Sequence, residues 1–465
     1  MVLVAGCATV GPEYVPPEIK APATWHTELK DGLAAEAMDP QTLARWWTTF
    51  DDPVLSDLIE RSVTGNLDLK QAGVRVREAR ARRGISQADQ FPTLDASGSV
   101  TKKRSSQSTG SGRETRLYMT GFDAGWEIDI FGGVRRSIEA ADADLEASQA
   151  DLRDVLVSLT AEVALNYVEA RTFQTRLSVA EGNIKAQQET FDLIESRYRA
   201  GLSDELAVQQ ARYNLESTRS QIPTLRTGLE AAKNRLAVLM GQAPGSVHAL
   251  LAGHRPVPVT PPAVAVGVPA ETLRRRPDIR KAEHELAAQT ARIGVATADL
   301  YPKFRLAGSI GLESIRSADL FKSASRFWSF GPSVSWNIFD AGAIRRDIEV
   351  QSALQEQYLI AYEAAVLAVL EEVENTLTTY AEEQLRREKL LEAVDAAQQA
   401  VQLSQDKYKA GLVDFSNVLD AQRSLLSFQD QLAQSDGAVT SNLITLYKAL
   451  GGGWTALYRN ETNGF

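Results

Sequence analysis

The sequence is poor in the residues on which most enzymes and metalloproteins depend. Its 465 residues include one Cys and four His, too few for a zinc or iron–sulfur cluster. No glycine-rich phosphate loop or nucleophile elbow stands where a strand meets a helix. Acidic residues outnumber basic ones by 60 to 50, which disfavours nonspecific nucleic-acid binding. The composition therefore predicts a protein that is neither an enzyme nor a nucleic-acid-binding protein.

Long hydrophobic runs are also missing. Without a run of about 18 apolar residues, no helix is expected to cross a bilayer, so a membrane role needs strands or a lipid. The single Cys7 follows Val4, Ala5 and Gly6, the small-residue pattern that bacterial lipoprotein processing cuts before the cysteine. Since a basic region is absent, the alternative is an incidental cysteine in an apolar N-terminus. We favour lipidation, with residues 1–7 as a truncated signal and the acyl chains holding the protein in a bacterial envelope.

The chain repeats itself at a fixed offset of 210 residues. The identities are sparse, but they fall where a turn, strand or helix tip has the least freedom. The repeat predicts one structural unit built twice. Three of the clearest pairs are Trp126-x-Ile128 with Trp336-x-Ile338, Arg135-Arg136-x-Ile138-Glu139 with Arg345-Arg346-x-Ile348-Glu349, and Tyr198-x-Ala200-Gly201-Leu202 with Tyr408-x-Ala410-Gly411-Leu412.

Local composition divides the chain further. Proline is dense over 8–45, which predicts an extended N-terminal arm running along the surface. The two repeats are expected at 46–243 and 269–452. The proline-rich segment 244–268 is expected to be a linker outside the helical layer, and 453–465 a C-terminal tail.

Each repeat contains one segment with a period of two. The predicted hairpins cover about 92–131 and 302–340, and one face of each is apolar while the other is polar. The alternative is a soluble β-sandwich with one face exposed to solvent. Four strands are too few to close a barrel, and an open edge is not viable in lipid, so a membrane role requires an oligomer.

A helical hairpin follows each pair of strands, over about 133–241 and 342–451. Residues 133–199 contain no proline, and at 1.5 Å per residue they would form a helix of roughly 100 Å. Gly201 and Gly411 are predicted to end the long helices with a short turn. Such hairpins are usually plain coiled-coil scaffolds, but joined to two-faced strands they indicate a tube.

Several motifs occur together over nearly the whole chain. They are the pattern ending in Cys7, Gly11-Pro12-x-Tyr14, Trp46-Trp47, Phe50-x-Asp52-Pro53-x-Leu55, Arg276-Pro277-Asp278-Ile279, Tyr301-Pro302, Tyr408-x-Ala410-Gly411 and Val418-Leu419-Asp420-Ala421-Gln422. With these motifs the chain resembles the bacterial outer-membrane factors, the TolC-like channel-tunnel family, and within it the RND-type efflux lipoproteins. The resemblance implies a mainly α fold with a transmembrane β part: a homotrimer sharing a twelve-stranded β-barrel and a long periplasmic α-helical barrel. It also implies docking to a periplasmic adaptor (membrane fusion) protein and an inner-membrane pump, usually of the RND class.

The resemblance further implies a gate just past the helix turns. The positions that match are Asp414, Asn417 and Asp420, with Asp204 in the first repeat, although relatives often have two acids where this chain has Asn417 before Asp420. Their spacing of three puts them on one broad helix face. In a trimer each position becomes a ring, and rings of acids favour cations. The alternative is that Asp414 caps a helix and Asp420 is a solvated acid, and for Asp204 capping is favoured.

The two turns themselves are candidates for partner contact. An ordinary helix cap explains Gly201 and Gly411, but an exposed Leu202 or Leu412 at a tip is better suited to binding another protein. We therefore predict that the adaptor docks at these tips.

The sequence as a whole predicts the passive outer-membrane exit duct of a tripartite efflux system. The protein would be lipid-anchored, extend into the periplasm, perform no chemistry and need no cofactor besides the lipid on Cys7. Two rivals are a type I protein-secretion tunnel and a non-conducting lipoprotein scaffold. Because a wide tunnel needs no selective pocket, specificity for a drug, metal or solvent is expected to reside in the pump.

Overall fold

The computed structural model describes residues 9–18, 21–30, 32–36, 39–110, 112–258 and 264–454, so Cys7 lies outside the described residues. In chain order the strands and helices are β1 (Leu33–Ala34), α1 (Pro40–Ala44), α2 (Pro53–Gly65), α3 (Leu67–Ala88), β2 (Thr93–Arg104), β3 (Glu114–Ile128), α4 (Gly133–Arg199), α5 (Glu205–Leu239), β4 (Val264–Ala265), α6 (Pro269–Arg275), α7 (Pro277–Ala298), β5 (Lys303–Ser314), β6 (Arg326–Ser335), α8 (Ala343–Lys409) and α9 (Phe415–Ala449). None of the helices in the described part of the chain is both long and apolar enough to cross a membrane.

The duplication is visible in the helix and strand boundaries. α7, β5, α8 and α9 each begin and end 210 residues after α3, β2, α4 and α5. The long helices α4 and α8 both have 67 residues, and the returning helices α5 and α9 both have 35. The predicted repeat is thus confirmed, and with it the uninterrupted helix over 133–199.

The chain forms two compact units. The first contains the chain up to Glu18 together with Val74–Gln149 and Arg280–Ala364, and the second contains Ile19–Gly73, Ala150–Ile279 and the residues from Ala365 onward. The strands β2, β3, β5 and β6 therefore belong to the first unit, and the returning helices α5 and α9 belong to the second.

The first unit is built on an antiparallel sheet of order β2-β3-β5-β6. Its register places even-numbered residues opposite one another, for example Phe122 opposite Ile310, so each face collects one parity. The even face is apolar and the odd face is polar, as the period of two predicts. At both repeats a Trp indole anchors the strand end to the preceding turn: Trp126 donates to the carbonyl of Gln90 at 2.9 Å, and Trp336 to that of Leu300 at 3.1 Å.

Polar side chains fix the order of the helices that flank this sheet. Arg83 on α3 pairs with Asp142 on α4, and Arg292 on α7 pairs with Asp144 on α4 at 2.6 Å. The Gln289 amide of α7 donates to Gln351 on α8 at 2.9 Å. The order is therefore α3-α4-α7-α8, so α3 and β2 lie at one edge of the unit and α8 and β6 at the other. Exposed ion pairs of this kind contribute about 1 kcal/mol or less each.

An aromatic core organises the second unit. Trp46 is fully buried and stacks on Tyr447 of α9, with ring centroids 5.5 Å apart. Asp52 caps α2, because one carboxylate oxygen accepts the N–H of Val54 at 2.8 Å. Its other oxygen accepts the hydroxyl of the buried Tyr167 at 2.5 Å, which ties the start of α2 to α4.

The arm is predicted to run along the surface and the linker to lie outside the helical layer, but both bury apolar residues in a core. Trp25 and Leu33 of the arm, and Leu251 and Val264 of the linker, are buried in the core of the second unit. β1 pairs in parallel with β4, so two segments far apart in sequence form one small sheet. The prediction was wrong here because apolar residues dispersed among prolines show no helix or strand period, yet they still gain by leaving water.

Equivalent positions of the two repeats stabilise the same junction with different chemistry. Asn66 donates to the carbonyl of Leu239 at the end of α5, at 2.9 Å. Its counterpart Arg276 donates to the carbonyl of Ala449 at the end of α9, at 2.7 Å, and also binds Glu372 at 2.6 Å. Duplication has therefore preserved a contact at this junction while the side chain changed.

Candidate gate and helix tips

The two helix turns have nearly the same geometry. At the end of α4 the N–H of Leu202 bonds the carbonyl of Arg197 at 2.8 Å, and at the end of α8 the N–H of Leu412 bonds that of Lys407 at 2.9 Å. These are Schellman caps, which require a left-handed residue. Gly201 and Gly411 supply it, both with φ of +73°.

The leucine of each turn is left in solvent. In a Schellman cap this residue often packs on the helix three or four residues before the cap, but here Arg197 and Lys407 occupy one of those positions. Leu202 is 69% exposed and Leu412 is 73% exposed. Each turn thus presents an apolar side chain without a packing partner in its own helix.

Asp204 is used by its own helix. Its Oδ1 accepts the backbone N–H of Ala207 at 2.8 Å, so it caps the N-terminus of α5 as expected. A role of Asp204 in a gate stays a prediction.

Asp414 differs from its repeat counterpart. It occupies the N-cap position of α9, but its side chain makes no capping hydrogen bond. The backbone N–H and the side-chain amide of Asn417 instead both donate to the Asp414 carbonyl, at 3.1 and 3.2 Å. The Asp414 carboxylate is therefore left in solvent.

The three gate candidates of α9 share one exposed side of that helix. Asp414, Asn417 and Asp420 are exposed, whereas Val418 and Leu419 between them are buried. The Asp420 side chain is 74% exposed, and its Oδ1 lies 3.6 Å from Nη1 of Arg423. The predicted common face is thus present in the structure.

Arg423 is the residue that sequence reasoning missed. Its Nε donates to Oδ1 of Asn214 on α5 at 3.0 Å, its Nη2 donates to the hydroxyl of Tyr213, and its guanidinium lies 5.0 Å from the centroid of that ring. Arg423 thereby joins α9 to α5 one turn from Asp420. A signal was available, because Tyr213 and Arg423 are 210 residues apart and so occupy equivalent positions.

A small core lies beneath the exposed row. Phe415, Val418 and Leu419 of α9 pack with Ile194 of α4 and Ala207 of α5. Burying side chains of this size stabilises the packed arrangement by about 1.5 to 3 kcal/mol each. The row is thus carried by a helix that is held firmly on its opposite side.

Some buried polar atoms near this core lack partners within the described structure. They include both amide atoms of Gln187 on α4, Nδ2 of Asn214 on α5 and Oε1 of Gln422 on α9. Gln422 does donate to Thr190 of α4 at 2.9 Å. An unsatisfied buried polar atom costs about 1 to 3 kcal/mol, so the packing between these three helices is not optimal.

The beginning of the described chain is fixed beside the sheet of the first unit. The N–H of Val10 donates to the carbonyl of Phe131 at 3.0 Å, and Nε of Arg136 donates to the carbonyl of Val10 at 3.1 Å. Gly11 lies so close to α7 that a Cβ there would be 2.4 Å from Cα of Gly294. Val10 and Gly11 are thus held where β3 leads into α4.

The profile of the outer membrane efflux protein family matches residues 58–242 and 268–452, one match for each repeat. The chain belongs to this family. Its members are outer-membrane channels rather than enzymes, so the chain is an outer-membrane efflux channel that extends into the periplasm.

Relatives and solved structures of the family match almost end to end. Nodulation protein T of Rhizobium leguminosarum bv. trifolii is 34% identical over 97% of this chain and 96% of its own length. The cation efflux system protein CusC of Escherichia coli O6:H1 is 31% identical over 97% of this chain and 96% of its own. The structure of the outer-membrane channel OprN has a TM-score of 0.91 with 38% identity, covering 96% of this chain and all of that one. The efflux protein thus has the channel-tunnel fold that the resemblance implied.

Proposed function

We propose that this chain is the passive exit duct of a tripartite efflux system, a homotrimer closed at its periplasmic end by the exposed row of α9. The observation that carries the proposal is the position of Asp414, Asn417 and Asp420 on one exposed side of a helix that Arg423 joins to α5. The duct performs no chemistry itself, and the pump supplies the energy for transport.

The edges of the first unit support the trimer. β2 and β6 are the outer strands of the sheet, and each has one side without a partner strand among the described residues. Exposed strand edges are not tolerated in lipid, so β6 of one copy would pair with β2 of the next. Three copies would then contribute four strands each to one closed wall, and every gate residue would form a threefold ring.

The gate opens when α9 moves away from α5. In the closed state the Arg423 contacts with Asn214 and Tyr213 hold the two helices together, and the row of acids narrows the passage. The unpartnered amide atoms, both of Gln187, Nδ2 of Asn214 and Oε1 of Gln422, favour movement, because repacking or entry of water can satisfy them. An adaptor that binds the open arrangement more tightly shifts the population toward it.

The helix tips are the proposed adaptor contact. Leu202 and Leu412 are exposed at two turns of the same geometry, so each trimer would offer six equivalent apolar points. Apolar side chains of this kind gain about 1.5 to 3 kcal/mol when a partner fully buries them. The inner-membrane pump, proposed to be of the RND class, would be reached through this adaptor.

A lipid on Cys7 is the proposed anchor. The support is the position of Val10 and Gly11, which are fixed where the sheet meets its helices, so a lipid three residues earlier could enter the membrane there. One relative is named an outer membrane lipoprotein, SilC of Salmonella typhimurium. Several acyl chains, at about 0.8 kcal/mol per buried CH₂, would hold the protein firmly.

The cargo is proposed to be set by the pump. The names of relatives refer to cations, solvents, toluene and pyoverdine, a range too wide for one selective pocket. Rings of Asp414 and Asp420 would still favour cations over anions in the ionic current.

Single-channel recording in planar bilayers tests the gate. Replacing both Asp414 and Asp420 with Ala should raise the conductance of the resting trimer, because the charged rings that narrow the passage are gone. Replacing Glu392 and Asp395 of α8, two exposed acids far from the tips, removes the same charge and should leave conductance unchanged. Equal conductance in the wild type and the Asp414/Asp420 variant would remove these residues from the gate.

A further inference from the structure

The apolar face of the four-stranded sheet carries charge at one end only. This face consists of the even-numbered residues of β2, β3, β5 and β6, all of which are described. Its charged residues all lie at the end of the sheet remote from the helices α3, α4, α7 and α8. They are Lys102, Arg104, Glu114, Arg116 and Arg326.

These residues form a basic group, in contrast to the whole chain, whose net charge is −10. Lys102 lies opposite Arg116, whereas Arg326 is in register with Gly98, four residues nearer the helices along β2. Glu114, the one carboxylate of this face, pairs with Lys102 at 2.7 Å. The positive charges of Arg104, Arg116 and Arg326 therefore exceed the negative charge on this face. We call the four cations Lys102, Arg104, Arg116 and Arg326 the basic row.

Lys102 and Arg116 of the basic row lie far from the helical end of the face. Along β2, Leu94 to Lys102 spans about 26 Å at 3.3 Å per residue. Strands of a barrel are tilted by about 35–45°, so this length rises about 20 Å along the membrane normal, which is most of the apolar band of about 25 Å that barrels expose to lipid. Trp126 and Trp336 lie near the helical end of the same face, as expected for aromatic side chains at a membrane interface. Lys102 and Arg116 are therefore near the level of lipid headgroups on the far side of the band, and the long side chain of Arg326 starts nearer the helices.

A hollow of about 620 Å³ lies in the apolar face next to the basic row. Gly121 and Gly311 form its floor with backbone alone, and Phe122, Ile310 and Trp328 stand around it. Arg326 is part of its lining, so a cation and an apolar depression meet in one place. Trp328 is 78% exposed, which leaves its ring available to a ligand in the hollow.

We propose that the basic row and this hollow bind a phosphorylated, multiply acylated glycolipid of the outer leaflet. Its phosphates would pair with Arg326 and Arg116, since guanidinium groups bind phosphate oxygens in a bidentate fashion. One acyl chain would fill the hollow beside Trp328. The proposal rests on the proposed function, because a barrel closed by three copies would turn this apolar face toward lipid.

The row favours this lipid over an ordinary phospholipid because of its position and its charge density. The cations lie at the end of the sheet away from the periplasmic helices, and therefore in the outer leaflet. Cations from β2, β3 and β6 lie on one face, which suits a headgroup that carries more than one phosphate.

Native mass spectrometry of purified full-length trimers tests the proposal, with lipid A as the probe. Wild-type trimers should retain bisphosphorylated lipid A after mild detergent exchange, and retain monophosphoryl lipid A or phosphatidylglycerol several-fold less. Replacing Arg116 and Arg326 with Gln should reduce lipid A retention several-fold. Arg305 and Lys303 are cations of the same sheet on its polar face, so their replacement with Gln is the matched control and should change nothing.

A second variant tests the hollow separately. A Cβ at Gly98 would lie 3.9 Å from its nearest neighbour, so Gly98→Leu can fill the hollow without a backbone clash. This variant should lower retention of lipid A while the basic row is intact. Gly331→Leu, which has open space on the polar face, is the control.

The outcomes separate this inference from the proposed function. Suppose that the Arg116/Arg326 variant and Gly98→Leu both form intact, conducting trimers and retain as much lipid A as the wild type. This result would overturn the lipid site alone. Equal losses in the Arg305/Lys303 control, or equal retention of phosphatidylglycerol, would also overturn it, because binding would then be nonspecific. A wild-type chain that forms no conducting trimer would instead refute the proposed function.

Discussion

Arg423 offers the sharpest test of how the duct stays closed. Replacing it with Ala removes a hydrogen bond to Asn214, a hydrogen bond to Tyr213 and the stacking on the Tyr213 ring. Its side chain is 42% exposed, so each hydrogen bond is worth about 1 kcal/mol rather than the 1.5 to 3 kcal/mol of a buried charged pair. An exposed cation–π contact adds about 0.5 kcal/mol. The closed state should lose about 2 to 3 kcal/mol per protomer.

This loss converts into a measurable change in gating. If the open state lacks these contacts, the ratio of open to closed channels rises roughly 30- to 150-fold for one protomer, and more if the three protomers move together. Single-channel recording of purified Arg423→Ala trimers measures this ratio directly. Arg423→Lys, which keeps the charge but not the planar fork, should give an intermediate value.

The matched control is Arg219 on α5. It is also exposed and donates to Gln188 of α4 at 2.8 Å, so it joins two helices of the same repeat and not α5 to α9. Arg219→Ala should therefore leave open probability near the wild-type value. Open probability that is unchanged in Arg423→Ala, or raised equally by both substitutions, would refute the idea that Arg423 holds the gate.

Two further predictions concern stability and docking. Burial and the hydrogen bond to Asp52 raise the pKa of Tyr167 to about 12, so its stabilising effect is complete below pH 10 and is lost as pH rises from 10 to 12. The melting temperature of the wild type should fall across that window, and that of Tyr167→Phe should fall less. Identical pH profiles of the two proteins would contradict this. Leu202→Asp combined with Leu412→Asp should weaken adaptor binding at least tenfold in a pull-down titration while resting conductance stays the same, and full binding would exclude the tips.

Much of the architecture follows from local patterns repeated along the chain. The period of two in the strands, the turns at Gly201 and Gly411 and the 210-residue offset all depend on neighbouring residues, so the sequence reveals them directly. The burial of Trp25, Leu33 and Val264 does not, because β1 and β4 are far apart in sequence and only two residues long.

The candidate gate can likewise be predicted from the sequence only in part. The exposed row of α9 follows from helical spacing, which sets Asp414, Asn417 and Asp420 on one side. The capping bond of Asp204 and its absence at Asp414 are not distinguishable from sequence, since both aspartates follow the same Gly-Leu turn. Arg423 was missed because its partners belong to the other repeat, and only the alignment of position 213 with 423 indicates the contact.

In the proposed trimer, three copies of the chain bring the α9 row to a common axis. Asp420→Cys introduces one free thiol per chain, since the single native Cys7 would carry its lipid as a thioether, and three thiolates at the axis would bind a soft cation such as Cd²⁺. Conductance should fall on addition of micromolar Cd²⁺, about one ion per trimer, and recover with a chelator, while Asp395→Cys trimers stay unaffected. Conductance of Asp420→Cys trimers that is insensitive to Cd²⁺, or no more sensitive than in the Asp395→Cys control, would contradict the account.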